Sequence, residues 1–344
     1  MLSTRCRLAR NQAGAPFPWR ATELQRRETS DQLVDALRRV GTALCGTALV
    51  RREDVDADEL DALLAWRYVS LLWSQMARHR WLAVGANTAC SVLVQEEDHL
   101  RLQAILPGDQ IDAAVSVCTG IEDAIQREVE FARDDRFGHL TASPVNAGCG
   151  MRVSALMHLP GLSAQGSFDD VLKAALTVGC SVRGLYGEGT LASAGFVQVS
   201  NTTSYGIQCN QVVERVSASV RYLVDAERMA REEQFGASGG RSNLERAVDE
   251  WAPALLREDL VPRRLLPLVS LIRLAVSEGI LEGKVGDTSR WVAAAGVTAA
   301  RPLPASRAVE HFEAVRRTAA LRAELRRVLA ARGTSGARVS DGTV

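Results

Sequence analysis

Two arginines stand two residues apart in the segment Ser3-Thr4-Arg5-Cys6-Arg7. If the segment is extended, Ser3, Arg5 and Arg7 share one side, with the two guanidinium groups about 7 Å apart. Each guanidinium is a fixed fork of donors, so two forks on one face suit the oxygens of a polyphosphate. Taken alone, a solvated edge strand explains the same residues more simply. A second segment, Gln95-Glu96-Glu97-Asp98-His99-Leu100-Arg101, puts three acids in a row, and these repel one another unless a cation compensates them. A metal, an arginine of the chain or a cationic substrate would serve, although no second acidic or histidine cluster at ligand spacing accompanies it. An acidic hairpin tip in solvent reads the same way. In Asn146-Ala147-Gly148-Cys149-Gly150-Met151-Arg152, paired glycines allow close backbone approach to a ligand just before an arginine, or simply make a turn. In Arg183-Gly184-Leu185-Tyr186-Gly187-Glu188-Gly189, three glycines surround one acid, as a loop that closes over a ligand and delivers Glu188 would require. An ordinary flexible connection has the same composition. The segment at 146–152 is not a dinucleotide fingerprint, since a third glycine and a following helix are missing, and Gly279 to Lys284 has the wrong spacing for a P-loop.

The elements that must hold these segments follow from periodicity. Residues 3–27 read as a short strand and then a loop broken by Pro16 and Pro18; 29–49 and 57–80 read as helices. In the second helix Leu60, Leu63, Leu64, Val69, Leu72 and Met76 recur at helical spacing. Residues 88–106 read as two strands joined by a tight turn at the acids. A helix from Asp109 to Ala132 carries the stripe Ile111, Val115, Cys118, Ile121, Ile125 and Val129. The strand after Gly150 places Met151, Val153, Ala155 and Met157 on one face and Arg152, Ser154 and His158 on the other. Ser167 and Asp170 cap a helix to about Val178; a strand at 196–201 and a long helix over 211–235 follow. The glycine- and serine-rich stretch 236–243 interrupts the pattern, and helices are expected beyond it at 244–257, 263–278, 288–299 and 306–332. The expectation is an α+β domain over 1–238, a helical C-terminal domain over 241–332 and a disordered tail over 333–344.

Composition excludes several function classes. The 41 Lys+Arg balance 41 Asp+Glu, which argues against nucleic-acid binding through bulk positive charge. No apolar run approaches the roughly 20 residues of a membrane span. The opening residues lack the apolar core of a secretory signal. Seven cysteines, odd in number and without a CxxC pair, argue against a zinc site or disulfide framework and for a reducing cytoplasm. No repeat of solenoid or propeller length appears.

Taken together and in this order, the SxRxR segment, EEDHxR, the GxGxR strand start and the RGxxGE loop resemble the catalytic domain of the ATP:guanido phosphotransferases, in the bacterial protein-arginine kinase branch. The phrases RLARNQAGAPFP, QEEDHLRLQAILPG, FGHLTASPVNAGCGMRVSALMHLPGL and VRGLYGEG carry the match, which covers about residues 1–330. The helical extension after residue 240, and no phosphagen-kinase helical domain ahead of Ser3, favour the bacterial branch. The resemblance implies a saddle-shaped antiparallel sheet flanked by helices. It also implies transfer of the ATP γ-phosphate to arginine side chains of proteins, marking them for degradation or regulation. Phosphate-clamping arginines would be Arg5, Arg7, Arg101, Arg152 and Arg183. Nucleotide contacts would run over Ser3, Thr4, Arg5, Cys6 and Arg7, over Arg152, Val153, Ser154, Ala155 and Leu156, and over Arg183, Gly184, Leu185, Tyr186, Gly187 and Glu188. His79 would match a family histidine near the nucleotide. Glu97 and Glu188 would be the catalytic carboxylates that hold the target guanidinium. Magnesium would be held mainly by phosphates and water.

The chain departs from the family pattern in places. Gln95 stands at a usual asparagine, Ser143 at a usual reactive cysteine, and Cys149 at a usual threonine. A thiolate beside the guanidinium lends negative charge that a serine does not, so reduced turnover is expected. The phosphoarginine-sensing Arg-Asp-x-x-Arg-Ala motif lacks its aspartate in 316–325. The family has a leading segment ahead of the first motif, which implies a start upstream of Met1. Substrates would be proteins with exposed arginines. A zinc-binding activator protein, a Clp-type unfoldase and a homodimer are further implied, with no nucleic-acid or membrane partner. Two other readings stay open: a kinase of free arginine or another small guanidino compound, and a catalytically weak regulator that binds nucleotide or phosphoarginine.

Overall fold

The computed structural model describes residues 1–41, 47–65, 67–75, 78–85, 89–165, 173–174, 177, 179–184, 194–236, 239–251, 265–289 and 291–292. Its strands are β1 (Ser3–Arg10), β2 (Thr47–Arg51), β3 (Trp81–Gly85), β4 (Cys90–Val94), β5 (Leu100–Pro107), β6 (Arg133–Asp134), β7 (Gly138–His139), β8 (Met151–His158), β9 (Cys180–Gly184) and β10 (Phe196–Asn201). Its helices are α1 (Glu23–Arg39), α2 (Ala57–Ala65), α3 (Leu71–Gln75), α4 (Ile111–Gln126), α5 (Pro160–Gln165), α6 (Cys209–Gly236), α7 (Gly240–Trp251) and α8 (Leu265–Ser277). Eight strands form one sheet in the order β2-β3-β4-β5-β1-β8-β10-β9, and β6 pairs with β7 apart from it. This is the expected α+β architecture of a large antiparallel sheet flanked by helices. No described helix is long and apolar enough to cross a membrane.

The chain divides into two compact units. One comprises the described parts of Met1–Met157, Asp170–Val182 and Gln198–Leu223; the other those of His158–Asp169, Arg183–Val197 and Val224–Val344. These limits cut the sequence differently from the expected boundary near 238–241.

In the first unit β1 alternates half-exposed and buried residues along its length. Thr4, Cys6, Leu8 and Arg10 face α4, whose Ala114, Cys118, Ile121 and Ile125 are buried, so one face of the sheet is sealed by apolar packing. Ser3, Arg5 and Arg7 fall on the other face. The helix expected at 29–49 starts earlier, because Thr22 and Gln25 form a reciprocal capping box, with 3.3 and 2.9 Å bonds. It ends at Arg39, and the β-branched run Thr47–Arg51 pairs with β3 instead. The helix expected at 57–80 is also broken. Tyr68 N–H reaches the Leu63 carbonyl (2.9 Å) and Arg67 N–H the Leu64 carbonyl (3.1 Å), a helix-ending motif with Arg67 at φ +63°. The stripe holds only up to the break: Leu60, Leu63, Leu64 and Val69 pack with Trp73, Val55, Leu82 and Leu93, whereas Leu72 is exposed and Met76 lies outside the described residues.

In the second unit, Glu227 accepts the Gly161 and Leu162 N–H groups, both at 3.0 Å, and so caps α5. Nearly every residue of α8 is buried, including Arg273, which donates to the Val285 carbonyl at 2.7 Å. His158 stacks on Phe196 and shares a 2.8 Å hydrogen bond with Ser270 Oγ. The helices expected at 167–178, 288–299 and 306–332 lie wholly or almost wholly outside the described residues, as does the tail.

Candidate active site

Strand register gathers the arginines. Across β1 and β8, Arg7 lies opposite Arg152, Arg5 opposite Ser154 and Ser3 opposite Leu156. Across β1 and β5, Arg101 lies opposite Ala9, two residues from Arg7. Cross-strand partners project to the same face, as do residues two apart, so Arg5, Arg7, Arg101 and Arg152 occupy one face of three adjacent strands. Thr4, Cys6, Val153 and Ala155 take the opposite face, where their side chains are buried. Thr4 Oγ1 is committed there to the Gly108 carbonyl at 2.7 Å.

This concentration of positive charge is costly without an anion. Burial, then Arg67, Arg101 and Arg152, push the Arg5 guanidinium down to about 9. Arg7 is driven well below its ordinary value by burial first and then by Arg5, Arg101 and Arg152, with Glu96 opposing. Arg7 Nε is buried with no hydrogen-bond partner among the described residues. Arg152 is oriented by a 2.9 Å bond from Nη2 to Ser200 Oγ, itself 3.2 Å from Ser181 Oγ. A guanidinium stays charged at neutral pH, so the depressed values reflect first the burial of these charges and then their mutual repulsion, the part a polyanion would relieve.

The three acids divide between structure and chemistry. The hairpin between β4 and β5 closes through Gln95 N–H to the His99 carbonyl (2.9 Å) and Glu96 N–H to the Asp98 carbonyl (3.1 Å), with Gln95 at φ +58°. Glu96 is buried and pairs with Arg101, accepts from Ser70 Oγ, and takes the Glu97 N–H at 2.9 Å. Asp98 accepts Asn11 Nδ2 and the Ala142 N–H, both at 2.6 Å. Asn11 Oδ1 in turn accepts the His99 N–H at 2.8 Å. His99, wholly buried, accepts the Gln12 N–H at Nδ1 and donates from Nε2 to the Pro16 carbonyl, both at 3.0 Å. The end of β1 is thus bolted to the acidic hairpin. Glu97, half-buried, keeps a carboxylate that no described residue hydrogen-bonds. Burial, then Asp98, raise its pKa, with Glu96 adding and Arg101 and Arg7 opposing.

Two further arginines join from elements that sequence reasoning left aside. Arg67, at the break after α2, acts on Arg5; Arg80, buried before β3, lies within the field of Glu96. Neither stands in a motif; the chain's turn after α2 brings in Arg67 and the approach to β3 brings in Arg80. His79 adopts φ +60°, with Nε2 3.7 Å from Glu23 and its carbonyl accepting from Ser30 at 2.9 Å. Arg183 and Gly184 end β9 in the second unit. Leu185, Tyr186, Gly187 and Glu188 lie outside the described residues. Cys149 is not on the arginine face: its sulfur neighbours are Cys209, the Met151 N–H and Arg10, so it does not supply the charge that Ser143 lacks.

Comparison with known proteins fits this geometry. Residues 29–230 match the family described as ATP:guanido phosphotransferase, C-terminal catalytic domain. The chain belongs to the ATP:guanido phosphotransferase family. Among relatives of this family, the protein named protein-arginine kinase from Caldanaerobacter subterraneus subsp. tengcongensis is 32% identical over 284 residues, covering 82% of this chain and 83% of that one. Its namesake from Moorella thermoacetica is 34% identical over 286 residues, covering 82% and 81%. In fold, the chain is similar to a lombricine kinase (TM-score 0.57, 23% identity, 69% of this chain and 68% of that one). It is also similar to the duplicated taurocyamine kinase of Schistosoma mansoni with bound transition state analog components (TM-score 0.61, 20% identity, 86% of this chain and 46% of that one). As a guanido phosphotransferase, the protein is an enzyme that moves a phosphoryl group between ATP and a guanidinium nitrogen.

Proposed function

We propose that this guanido phosphotransferase acts on arginine side chains of proteins, with the arginines of β1, β5 and β8 holding the ATP phosphates and Glu97 engaging the target guanidinium. The observation that carries the proposal is the register that puts Arg5, Arg7, Arg101 and Arg152 on one face, joined through Asn11 to the turn bearing Glu97. A guanidinium with a pKa above about 12 is a poor nucleophile until a proton leaves it. Glu97, more basic than an ordinary carboxylate, holds the attacking nitrogen in line and accepts that proton as the N–P bond forms and the bond to the ADP oxygen breaks. The arginine forks neutralise charge spread over the transferring phosphoryl group. Magnesium, when bound, adds neutralisation of the β- and γ-phosphate oxygens. The arginine forks and the orphaned Arg7 Nε fit the phosphate that would carry it. Glu188 supplies the second carboxylate and Arg183 the fifth fork in this reading. Proteins rather than free arginine are favoured as substrates because the relatives at 32 and 34% identity bear the name protein-arginine kinase.

The experiment is incubation with magnesium and ATP plus either an unfolded protein or free arginine, followed by detection of acid-labile phosphate on each. Label on the protein is expected. Label on arginine alone would move the substrate to a small guanidino compound, and no label on either would leave a nucleotide-binding regulator.

A further inference from the structure

On the α4 side of the sheet, near Arg10 and away from the face of Arg5, Arg7 and Arg152, two half-buried cysteines meet. Cys149 lies in the turn entering β8 between Gly148 (φ +94°) and Gly150 (φ +60°), and Cys209 is the first residue of α6. The Cys209 thiol lies 4.0 Å from the Cys149 carbonyl, and each sulfur is the leading influence on the protonation of the other. Of the other described cysteines, Cys6, Cys90, Cys118 and Cys180 are all buried. We propose that Cys149 and Cys209 form an oxidant-responsive thiol pair, with Cys149 the attacking and Cys209 the resolving sulfur, that closes to a disulfide on exposure to a hydroperoxide.

The environment separates the two roles. The Cys209 thiol, the Met151 N–H and the Arg10 guanidinium all favour a thiolate at Cys149 and, against burial, bring it down to about 7. Cys209 is pushed up, first by the same hydrogen bond and then by burial, and so stays a thiol. Cys149 is then the more readily ionised and more nucleophilic of the two, and it is only half-buried. The chemistry balances with a hydroperoxide as the single oxidant. The Cys149 thiolate attacks the outer peroxide oxygen; the S–O bond forms, the O–O bond breaks, and the alkoxide or hydroxide leaves with a proton. Cys209, its proton passing to the departing oxygen, then attacks the sulfenic sulfur; the S–S bond forms and the S–O bond breaks, releasing water. Two thiols lose two electrons and two protons, and the peroxide is reduced to alcohol or water plus water. The bridge would tie the start of α6 to the segment three residues ahead of Arg152.

The test treats the full chain with hydrogen peroxide at neutral pH, blocks free thiols, and maps peptides by mass spectrometry without reductant. A linked pair carrying Cys149 and Cys209, lost on adding dithiothreitol, is expected. In Cys209→Ser, dimedone should label Cys149 instead. A second measurement on the unsubstituted chain needs no variant: iodoacetamide at neutral pH should alkylate Cys149 first among the seven cysteines. Linkage elsewhere, no linkage at all, or Cys209 alkylated ahead of Cys149 would overturn the proposal.

Discussion

Of the three adjacent carboxylates, Glu96 is consumed by Arg101, Ser70 and a backbone N–H, and Asp98 by Asn11 and Ala142. Glu97 alone keeps a carboxylate that no described residue hydrogen-bonds, and in the proposed role its raised pKa carries two consequences. Proton acceptance requires the ionised form, so the acid limb of the rate profile should lie above the ordinary carboxylate range. The same shift means that the native state holds this proton more tightly than the unfolded chain. Its contribution to stability is therefore full below the unfolded carboxylate pKa and is lost as pH rises through the folded value. Glu97→Gln mimics the neutral form. It should lower phosphoryl transfer by about 10²-fold to 10⁴-fold while the thermal midpoint at pH 8 stays level or rises. Steady-state kinetics and calorimetry on the same preparation check both halves; a clear loss of stability with retained turnover would contradict the assignment. At this scale the sequence was informative about identities, since Arg5, Arg7, Arg101 and Arg152 share one sheet face, while Arg183 falls in the second unit and Glu188 outside the described residues. It could not reveal Arg67 or Arg80, whose relevance depends on a helix break and a strand pairing far from either motif.

The strands matter because they convert spacing into position. β8 enters beside β1 at Gly150, where a side chain would meet the Arg10 guanidinium and, at 3.0 Å, the Ala9 carbonyl. Arg10 itself is buried and paired with Glu122 at 2.5 Å, so it cannot swing away cheaply. Gly150→Ala should therefore cost about 2–4 kcal/mol, from the positive φ together with the clash, and displace Arg152 from Arg7. Urea unfolding reads the first effect and nucleotide affinity the second. The hairpin has its own pH response. Burial lowers His99 to about 4, and His139 to about 3 with Arg10 and Arg133 adding. Both sit below the unfolded value near 6.5, so the native chain binds fewer protons, and stability present above pH 6.5 is lost as pH falls toward 4. For wholly buried His99 the loss is about 3 kcal/mol over that window. His99→Gln should be less stable at pH 7 but show a flatter decline in urea midpoint between pH 6.5 and 4. Element boundaries were less legible than element content. The stripe from Leu60 through Val69 to Leu72 has helical spacing across a break made by backbone hydrogen bonds, which hydrophobic periodicity does not register; after the break Trp73 is buried in place of Leu72.

Across the whole molecule the charges cancel, 41 against 41, yet the first unit concentrates guanidinium groups on one sheet face. Net charge therefore hides the feature to which the proposed function assigns phosphate binding, and a local test is needed. An anion that binds only the folded chain stabilises it by RT ln(1 + [L]/Kd), about 2.7 kcal/mol at one hundred times Kd. Inorganic tripolyphosphate without magnesium should raise the unfolding midpoint, and orthophosphate at equal ionic strength should do so much less, because it spans fewer forks. The shift should shrink with added sodium chloride as screening grows. Arg7→Gln separates this account from general salting: removing one buried like charge should raise the midpoint without ligand and cut the tripolyphosphate shift. Depressed stability of the unliganded variant, with an undiminished shift, would mean that the arginines pair with groups of the protein rather than await a phosphate. The other outcome identifies repulsion within the free enzyme as the source of its preference for the nucleotide, since the same guanidinium groups that strain one another apart are drawn into register by a chain of phosphates.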